Sequence, residues 1–314
     1  MENPISFFCG KGEIPLSEYV RECLYNPGFG YYAKKSKLRV GGLGDFYTSS
    51  SVSPEVFGNL LLESAKTIAG KNFEKCGDFK IYEIGAEPKA ELFKNSNVIR
   101  VFDKLEISGN SFVFSNELLD AQPFDRFVFD GGKIFKTFVK FTECGKCETS
   151  LRACEEFERD FLLKNFSEIR PPFTLDFSFK ALELLREICT QNWRGVLIFA
   201  DYFRLKGEIL EFPKGTARIY KKHRANADIF LAPSECDITF SPTVEVFAGE
   251  LSELGLRDVK FSSQGAFFMD FAQSYIREIV EREGPLSPKK RALAELLTPA
   301  NMGEMFRVLS AVKF

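Results

Sequence analysis

Short apolar runs alternate along the chain with longer amphipathic stretches, and this alternation predicts its elements. Helices are expected over 16–25 and from Pro54, a residue suited to a first helical turn, to about 69. Apolar runs at 80–84, 98–102 and 111–114 predict strands, with a short helix over 87–93 between the first two. The run Gly195-Val-Leu-Ile-Phe-Ala200 is the plainest buried strand, and it ends on Asp201-Tyr202. Residues 125–129 and a hairpin over 133–152 are expected to leave the main sheet, and helices follow at 155–164 and 176–191. A long polar loop then reaches about 237. A helix over 243–254, a strand near 258–262, two helical stretches and a strand over 306–312 close the chain. Strands alternating with helices at these spacings predict an α/β fold with a doubly wound, mostly parallel sheet. Residues 1–314 read as a single domain, with 1–70 as an amino-terminal helical cover and 125–175 as a hairpin-and-helix insertion.

Composition narrows the function classes. A chain of 314 residues buries a sizeable core, and 35 phenylalanines point to that core and to a lined cleft. The formal net charge of -2, from 42 basic and 44 acidic residues, carries no signature of a nucleic-acid partner. The start, Met1-Glu-Asn-Pro-Ile-Ser-Phe-Phe8, resembles neither a secretory signal nor an Arg-rich transit peptide. No stretch approaches the roughly 18–20 apolar residues of a membrane span, so a soluble, cytoplasmic protein without membrane insertion is expected. The eight cysteines default to reduced thiols in that setting. Cys144-Gly-Lys-Cys147 has zinc-knuckle spacing, but no second ligand pair follows, and strand-like flanks make Gly145-Lys146 a hairpin tip. No metal is expected.

The densest chemistry lies in Phe112-Val-Phe-Ser-Asn-Glu-Leu-Leu-Asp-Ala-Gln-Pro123. Here a strand delivers Asn116, Glu117 and Asp120 at its carboxyl end, the edge where open α/β sheets hold ligands. If Asn116 caps a following turn, Glu117 and Asp120 fall three apart and share a face. Two carboxylates and an amide suit a cationic guest, such as a sulfonium cofactor or a guanidinium substrate. Plain helix capping by Asn116 and Asp120 is the competing reading.

A resemblance emerges from several segments in order. They are Asn26-Pro-Gly-Phe-Gly-Tyr-Tyr32, Gly44-Asp-Phe-Tyr-Thr-Ser49, Ser53-Pro-Glu-Val-Phe-Gly58, Glu83-Ile-Gly85 and Asn116-Glu-Leu-Leu-Asp-Ala121. Asp201-Tyr202, Gly215-Thr216, Tyr220-Lys-Lys-His-Arg224, Asp237-Ile-Thr239, Gln264-Gly-Ala-Phe267 and Met302-Gly-Glu-Met-Phe-Arg-Val-Leu309 continue it. The chain resembles the MidA/NDUFAF-seven-type family of class I S-adenosylmethionine-dependent methyltransferases. That resemblance implies a Rossmann-like fold, S-adenosyl-L-methionine as cofactor, and a protein arginine as acceptor. A respiratory-complex subunit, in complex I assembly, is the implied partner. It also implies cofactor contacts from Gly44, Asp45, Phe46, Thr48, Glu83, Gly85 and Asn116, and a catalytic group of Asn116, Glu117 and Asp120. Asp201, Tyr202, Tyr220 and His223 border the implied substrate cleft, where His223 is weighed against a loop-ordering role.

The chain departs from that family where the cofactor loop should be. Relatives carry several glycines after the first strand, whereas this chain reads Glu83-Ile-Gly-Ala-Glu-Pro-Lys-Ala90. Pro88 removes an amide donor, and Glu87 brings negative charge. The passage from Gly85 to Asn116 is also short, leaving Asp103 and Glu106 as the nearby acids for a ribose. An active methyltransferase, a lapsed family member serving as a binding or assembly factor, and a protein holding another small ligand all remain consistent with these residues.

Overall fold

The computed structural model describes residues 3–34, 48–70, 79–86, 92–221 and 224–314. In chain order its strands are β1 (Glu13–Pro15), β2 (Lys80–Ile84), β3 (Asn97–Ile99), β4 (Gly109–Asn116), β5 (Asp125–Asp130), β6 (Lys133–Phe141) and β7 (Cys147–Ala153). They continue as β8 (Phe173–Phe177), β9 (Trp193–Asp201), β10 (Arg218–Lys221), β11 (Arg224–Asn226), β12 (Asp237–Thr239), β13 (Arg257–Ser263) and β14 (Arg307–Lys313). The chain folds as two compact units. The first comprises Met1–Lys37, Leu119–Leu184 and Arg204–Val246, and the second Leu38–Leu118, Leu185–Phe203 and Phe247–Phe314.

The second unit is built on a six-stranded sheet of order β13-β14-β9-β4-β2-β3. β3, β2, β4 and β9 run parallel, while β14 lies antiparallel to both β9 and β13. β4 and β9 are apolar on both faces because both faces are covered. Gly195 is required where they pair, since a Cβ there would stand 2.1 Å from the Ser111 carbonyl oxygen. Against this sheet packs the helix Pro54–Ala69. Ser53 caps it by accepting from the Val56 amide, Pro54 occupies the first turn, and Gly70 ends it at φ 55°. Its residues Val56, Phe57, Leu60, Leu61 and Ala65 form one buried stripe. Phe57 meets Phe114 and Phe268 edge to face, and burial of each such ring contributes about 1.5–3 kcal/mol.

The named strands of the first unit pair antiparallel, and two isolated bridges, Thr174 to Lys214 and Arg204 to Thr243, are parallel. One sheet has the order β1-β6-β5-β8, with β7 also on β6, and a smaller one the order β11-β10-β12. The β6–β7 hairpin turns at Thr142–Lys146, where Thr142 donates to Lys146 and Gly145 takes φ 81°. Cys144-Gly-Lys-Cys147 is therefore a hairpin tip. Among the described residues, no group of three or more His, Cys, Asp or Glu is arranged to hold a metal.

Several expectations are corrected. The main sheet is parallel across four of its six strands, but β14 and β13 add an antiparallel edge to it, and the 125–177 excursion pairs antiparallel in a sheet of its own. The helix expected from 176 begins at Phe179, because Ser178 caps it and Asp176 belongs to β8. The strand expected to 102 stops at Ile99, where Asp103 accepts from the Arg100 amide and closes a turn. The loop expected to reach 237 contains β10 and β11, which pair with each other, and the pairing of β10 with β12 reflects the period-two pattern of Arg218-Ile-Tyr220 and Asp237-Ile-Thr239. Leu92 and Phe93 are not helical, and the rest of the helix expected over 87–93 lies outside the described residues.

Candidate functional site

In the second unit the carboxyl ends of β2, β4 and β9 lie side by side, with Ile84 paired to Ser115 and Asn116 to Ala200. Gly85 follows β2 at φ 77°, a conformation L side chains rarely adopt. Its amide donates to the Ile99 carbonyl, and a Cβ there would stand 2.8 Å from Leu118 Cδ1. Glu83 is buried and accepts from the Leu92 amide at 3.1 Å. Asp201 ends β9 fully buried, accepting from the Tyr202 amide, and the Tyr202 ring packs 4.7 Å from that of Phe306.

No helix follows β4. Glu117 takes φ 50°, held by its amide donating to the Ala200 carbonyl and by Asn116 Nδ2 donating to its Oε1 at 2.8 Å. A non-glycine residue in this region costs about 1–2 kcal/mol. The capping reading of Asn116, and with it a shared helical face for Glu117 and Asp120, is thus overturned: the side chain that would cap is bonded to its neighbour. Asn116 Oδ1 and Ser115 Oγ are buried with no hydrogen-bond partner among the described residues. A buried acceptor left unmade costs about 1–3 kcal/mol, which marks this strand end as a place for a ligand donor.

Thr48 is buried at the start of the helix Ser49–Val52, where its amide donates to Ser51 Oγ. The next residue, Ser49, donates its hydroxyl to Gln264 Oε1 at 2.7 Å. Gly44, Asp45, Phe46 and His223 lie outside the described residues, as do Glu87 and Pro88. Of the two acids considered for a ribose, Asp103 closes an exposed turn and Glu106 is exposed beside Lys104.

The first unit holds a second cluster. Asp120 is buried, and its carbonyl accepts from the Phe240 amide. Tyr25 donates to the Ala121 carbonyl at 2.9 Å and stacks on Tyr32, whose hydroxyl donates to Asp237 Oδ1 at 2.9 Å. Burial first, then the charges of Asp237 and Asp120, hold the Tyr25 phenol above its ordinary pKa. Tyr220 pairs with Asp237 across β10 and β12, and its hydroxyl accepts from Arg218 Nε. The structure thus gathers Gly85, Asn116, Glu117 and Asp201 in one unit, and Asp120 and Tyr220 in the other. Tyr25, Tyr32 and Asp237 were not foreseen as site residues. Tyr32 and Asp237 lie in segments that carry the family resemblance, but no spacing links positions 205 apart.

The model of a family described as "Putative S-adenosyl-L-methionine-dependent methyltransferase" matches residues 86–248. The chain is similar to "Protein arginine methyltransferase NDUFAF7, mitochondrial" of Danio rerio, 38% identical over 115 residues, covering 36% of this chain and 25% of that protein. The protein of the same name from Bos taurus is 37% identical over 97 residues, covering 30% of this chain and 20% of that protein. The match therefore spans a quarter or less of the length of these relatives. In fold, the chain is similar to a COG1565 superfamily member from Burkholderia thailandensis bound to S-adenosyl-homocysteine. The TM-score is 0.83 at 20% identity, with coverage of 99% of this chain and 92% of that one. A native structure from the same superfamily and organism gives a TM-score of 0.79 at 20% identity, covering 99% and 91%. Among the described residues, no helix is long and apolar enough to cross a membrane.

The strand-end geometry fits the cofactor of that family. S-Adenosylmethionine needs a close backbone approach and acceptors for its amino groups. Gly85, at φ 77°, is a residue type suited to the first need, and Asn116 Oδ1, without a hydrogen-bond partner among the described residues, is an acceptor suited to the second.

Proposed function

This chain belongs to the family of S-adenosyl-L-methionine-dependent methyltransferases matched over 86–248, and from that premise we propose that it methylates a protein arginine side chain. The observation that carries the reading is the buried Asn116 Oδ1, without a hydrogen-bond partner among the described residues, on the strand beside β2, which leads into Gly85. When bound, the cofactor supplies an electrophilic methyl group on a sulfonium. Gly85 and Asn116 would hold it, with Thr48 as a further contact. An arginine acceptor is protonated at all ordinary pH, so a carboxylate must orient the guanidinium and receive a proton as the bond forms. Glu117, fixed by Asn116, and the buried Asp120 are assigned that work. Asp201, Tyr202 and Tyr220 are assigned to the acceptor's surroundings. The similarity to proteins named protein arginine methyltransferases supports the acceptor class, with a respiratory-complex subunit as the substrate the family resemblance implies.

Calorimetry with S-adenosylhomocysteine tests the cofactor half, and at about 100 times its Kd the ligand should add roughly 2.7 kcal/mol of stability. Asp120→Ala and Glu117→Ala should abolish transfer of labelled methyl to arginine peptides while leaving S-adenosylhomocysteine affinity within a few-fold. Absence of heat and of any thermal shift at millimolar cofactor would overturn the enzyme and leave the second reading, a lapsed family member acting by binding alone. That outcome would fit the Glu87-Pro88 departure.

A further inference from the structure

The outer edge of β7, in the first unit, carries a charge pattern that complements itself about one residue. We infer that two copies of this chain pair through it, β7 against β7, antiparallel and centred on Ser150. The pairing is independent of the methyltransferase chemistry. β7 is seven residues long and, among the described residues, pairs with β6 alone, in a register unbroken from Phe141–Cys147 to Phe135–Ala153. At the hairpin turn the Thr142 amide donates to the Lys146 carbonyl, which therefore points at β6. Backbone groups alternate in direction along an antiparallel strand, so Glu148, Ser150 and Arg152 also face β6. Cys147, Thr149, Leu151 and Ala153 turn their amides and carbonyls outward. Of these, Thr149, Leu151 and Ala153 are exposed, Leu151 by 50%. At the other end of the same sheet the Thr174 amide of β8 is taken up by the Pro213 carbonyl. β7 has none of the proline, lysine or bulge that commonly blunts an open edge.

Charge is what suits this edge to a second copy. About a two-fold axis perpendicular to the sheet, each side chain meets one from the same face of the other strand. Centring on Ser150 sets Glu148 against Arg152 of the second copy, and Arg152 against its Glu148. Both are non-hydrogen-bonded pairs, the kind that brings side chains closest. The same centre puts every outward-facing residue opposite another, Cys147 to Ala153 and Thr149 to Leu151, and covers the exposed Leu151. Centring on Thr149 or Leu151 loses both charge pairs, and centring on Glu148 or Arg152 sets like charges opposite. Glu148 is exposed, and Arg152 is 55% exposed on its side chain. Arg152 meets Glu13 of its own chain and lies 4.7 Å over the Phe138 ring, which holds the guanidinium on the Glu148 face. Its five donors leave capacity for a second carboxylate.

A strand pair of this length falls at the small end of specific interfaces, so a dissociation constant in the micromolar range is expected. Analytical ultracentrifugation of the full chain, with thiols kept reduced, should show dimer growing with concentration, and amide exchange at Thr149 and Leu151 should slow as it forms. Glu148→Arg and Arg152→Glu each set like charges opposite at both positions, and each should weaken dimerisation about 10-fold or more. An equimolar mixture of the two variants restores opposite charges at both positions and should dimerise near the wild-type affinity. Leu151→Pro removes one outward amide and leaves the bonds to β6, so it should give monomer at a melting temperature near wild type, and it carries the test if Arg152→Glu fails to fold beside Glu13. A wild type that stays monomeric at every concentration overturns the pairing. So does a dimer that Leu151→Pro leaves intact, or a mixture of the two charge variants that associates no more tightly than either alone.

Discussion

Replacing Gln264 by Leu should unfasten the serine turn that follows Thr48. Gln264 is fully buried, with every polar group of side chain and amide committed. Its Oε1 accepts from Ser49 Oγ at 2.7 Å, its Nε2 donates to the Leu296 carbonyl at 3.0 Å, and its amide donates to Phe306 at 2.9 Å. Leu296 lies in the last turn of the helix Pro288–Leu297, where carbonyls lack intrahelical partners, so the glutamine satisfies a group the helix cannot. Gln264→Leu keeps the volume and the backbone bond but removes both side-chain bonds, worth about 0.5–1.5 kcal/mol each. It also strands the Leu296 carbonyl, at about 1–3 kcal/mol, against a partial gain from the added apolar surface. The expected loss is about 2–4 kcal/mol, read as a lower urea midpoint at unchanged m-value. A loss below about 0.5 kcal/mol would refute the reasoning, since the minimum for two such bonds already exceeds it.

The Gln264→Glu variant carries a pH signature with a definite sign. A buried carboxyl here can donate to Leu296 only when protonated, so its folded-state pKa is raised above the ordinary value of about 4.3. Its stability should approach wild type below that unfolded value, and be lost as pH rises toward the folded pKa. A variant whose stability instead rose between pH 4 and 7 would contradict the assigned donor.

Two further outcomes check other links. Gly85→Ala places a Cβ at φ 77° and 2.8 Å from Leu118 Cδ1, and should cost about 1–2 kcal/mol together with S-adenosylhomocysteine affinity. Gly70→Ala, at φ 55° with nothing within 4 Å among the described residues, should cost similar stability and no affinity, and equal calorimetry for both variants would refute the role of Gly85. Lys136 bridges buried Asp125 and Glu158 at 2.8 and 2.7 Å, so Lys136→Met should cost about 3–5 kcal/mol at pH 7 by urea unfolding. Burial already raises the Asp125 carboxyl pKa, and removing the lysine raises it further, so the loss should shrink as pH falls toward 4.

Local chemistry by itself determined much of this protein. Pro54 and Gly70 bound a helix, the apolar runs at 80–84 and 195–200 are strands, and the flanks of Cys144 and Cys147 make a hairpin, because each signal acts between near neighbours. The polar residues at the end of β4 were also legible, since strand and carboxyl-end chemistry are contiguous there. Only the tertiary structure decided which way strands pair, because period-two patterning is the same in parallel and antiparallel ladders. It likewise decided that Asn116 bonds Glu117 rather than capping a helix, and that Tyr32 reaches Asp237 across 205 positions. Those choices depend on which buried groups find partners once distant segments meet, and no local window of sequence holds that information.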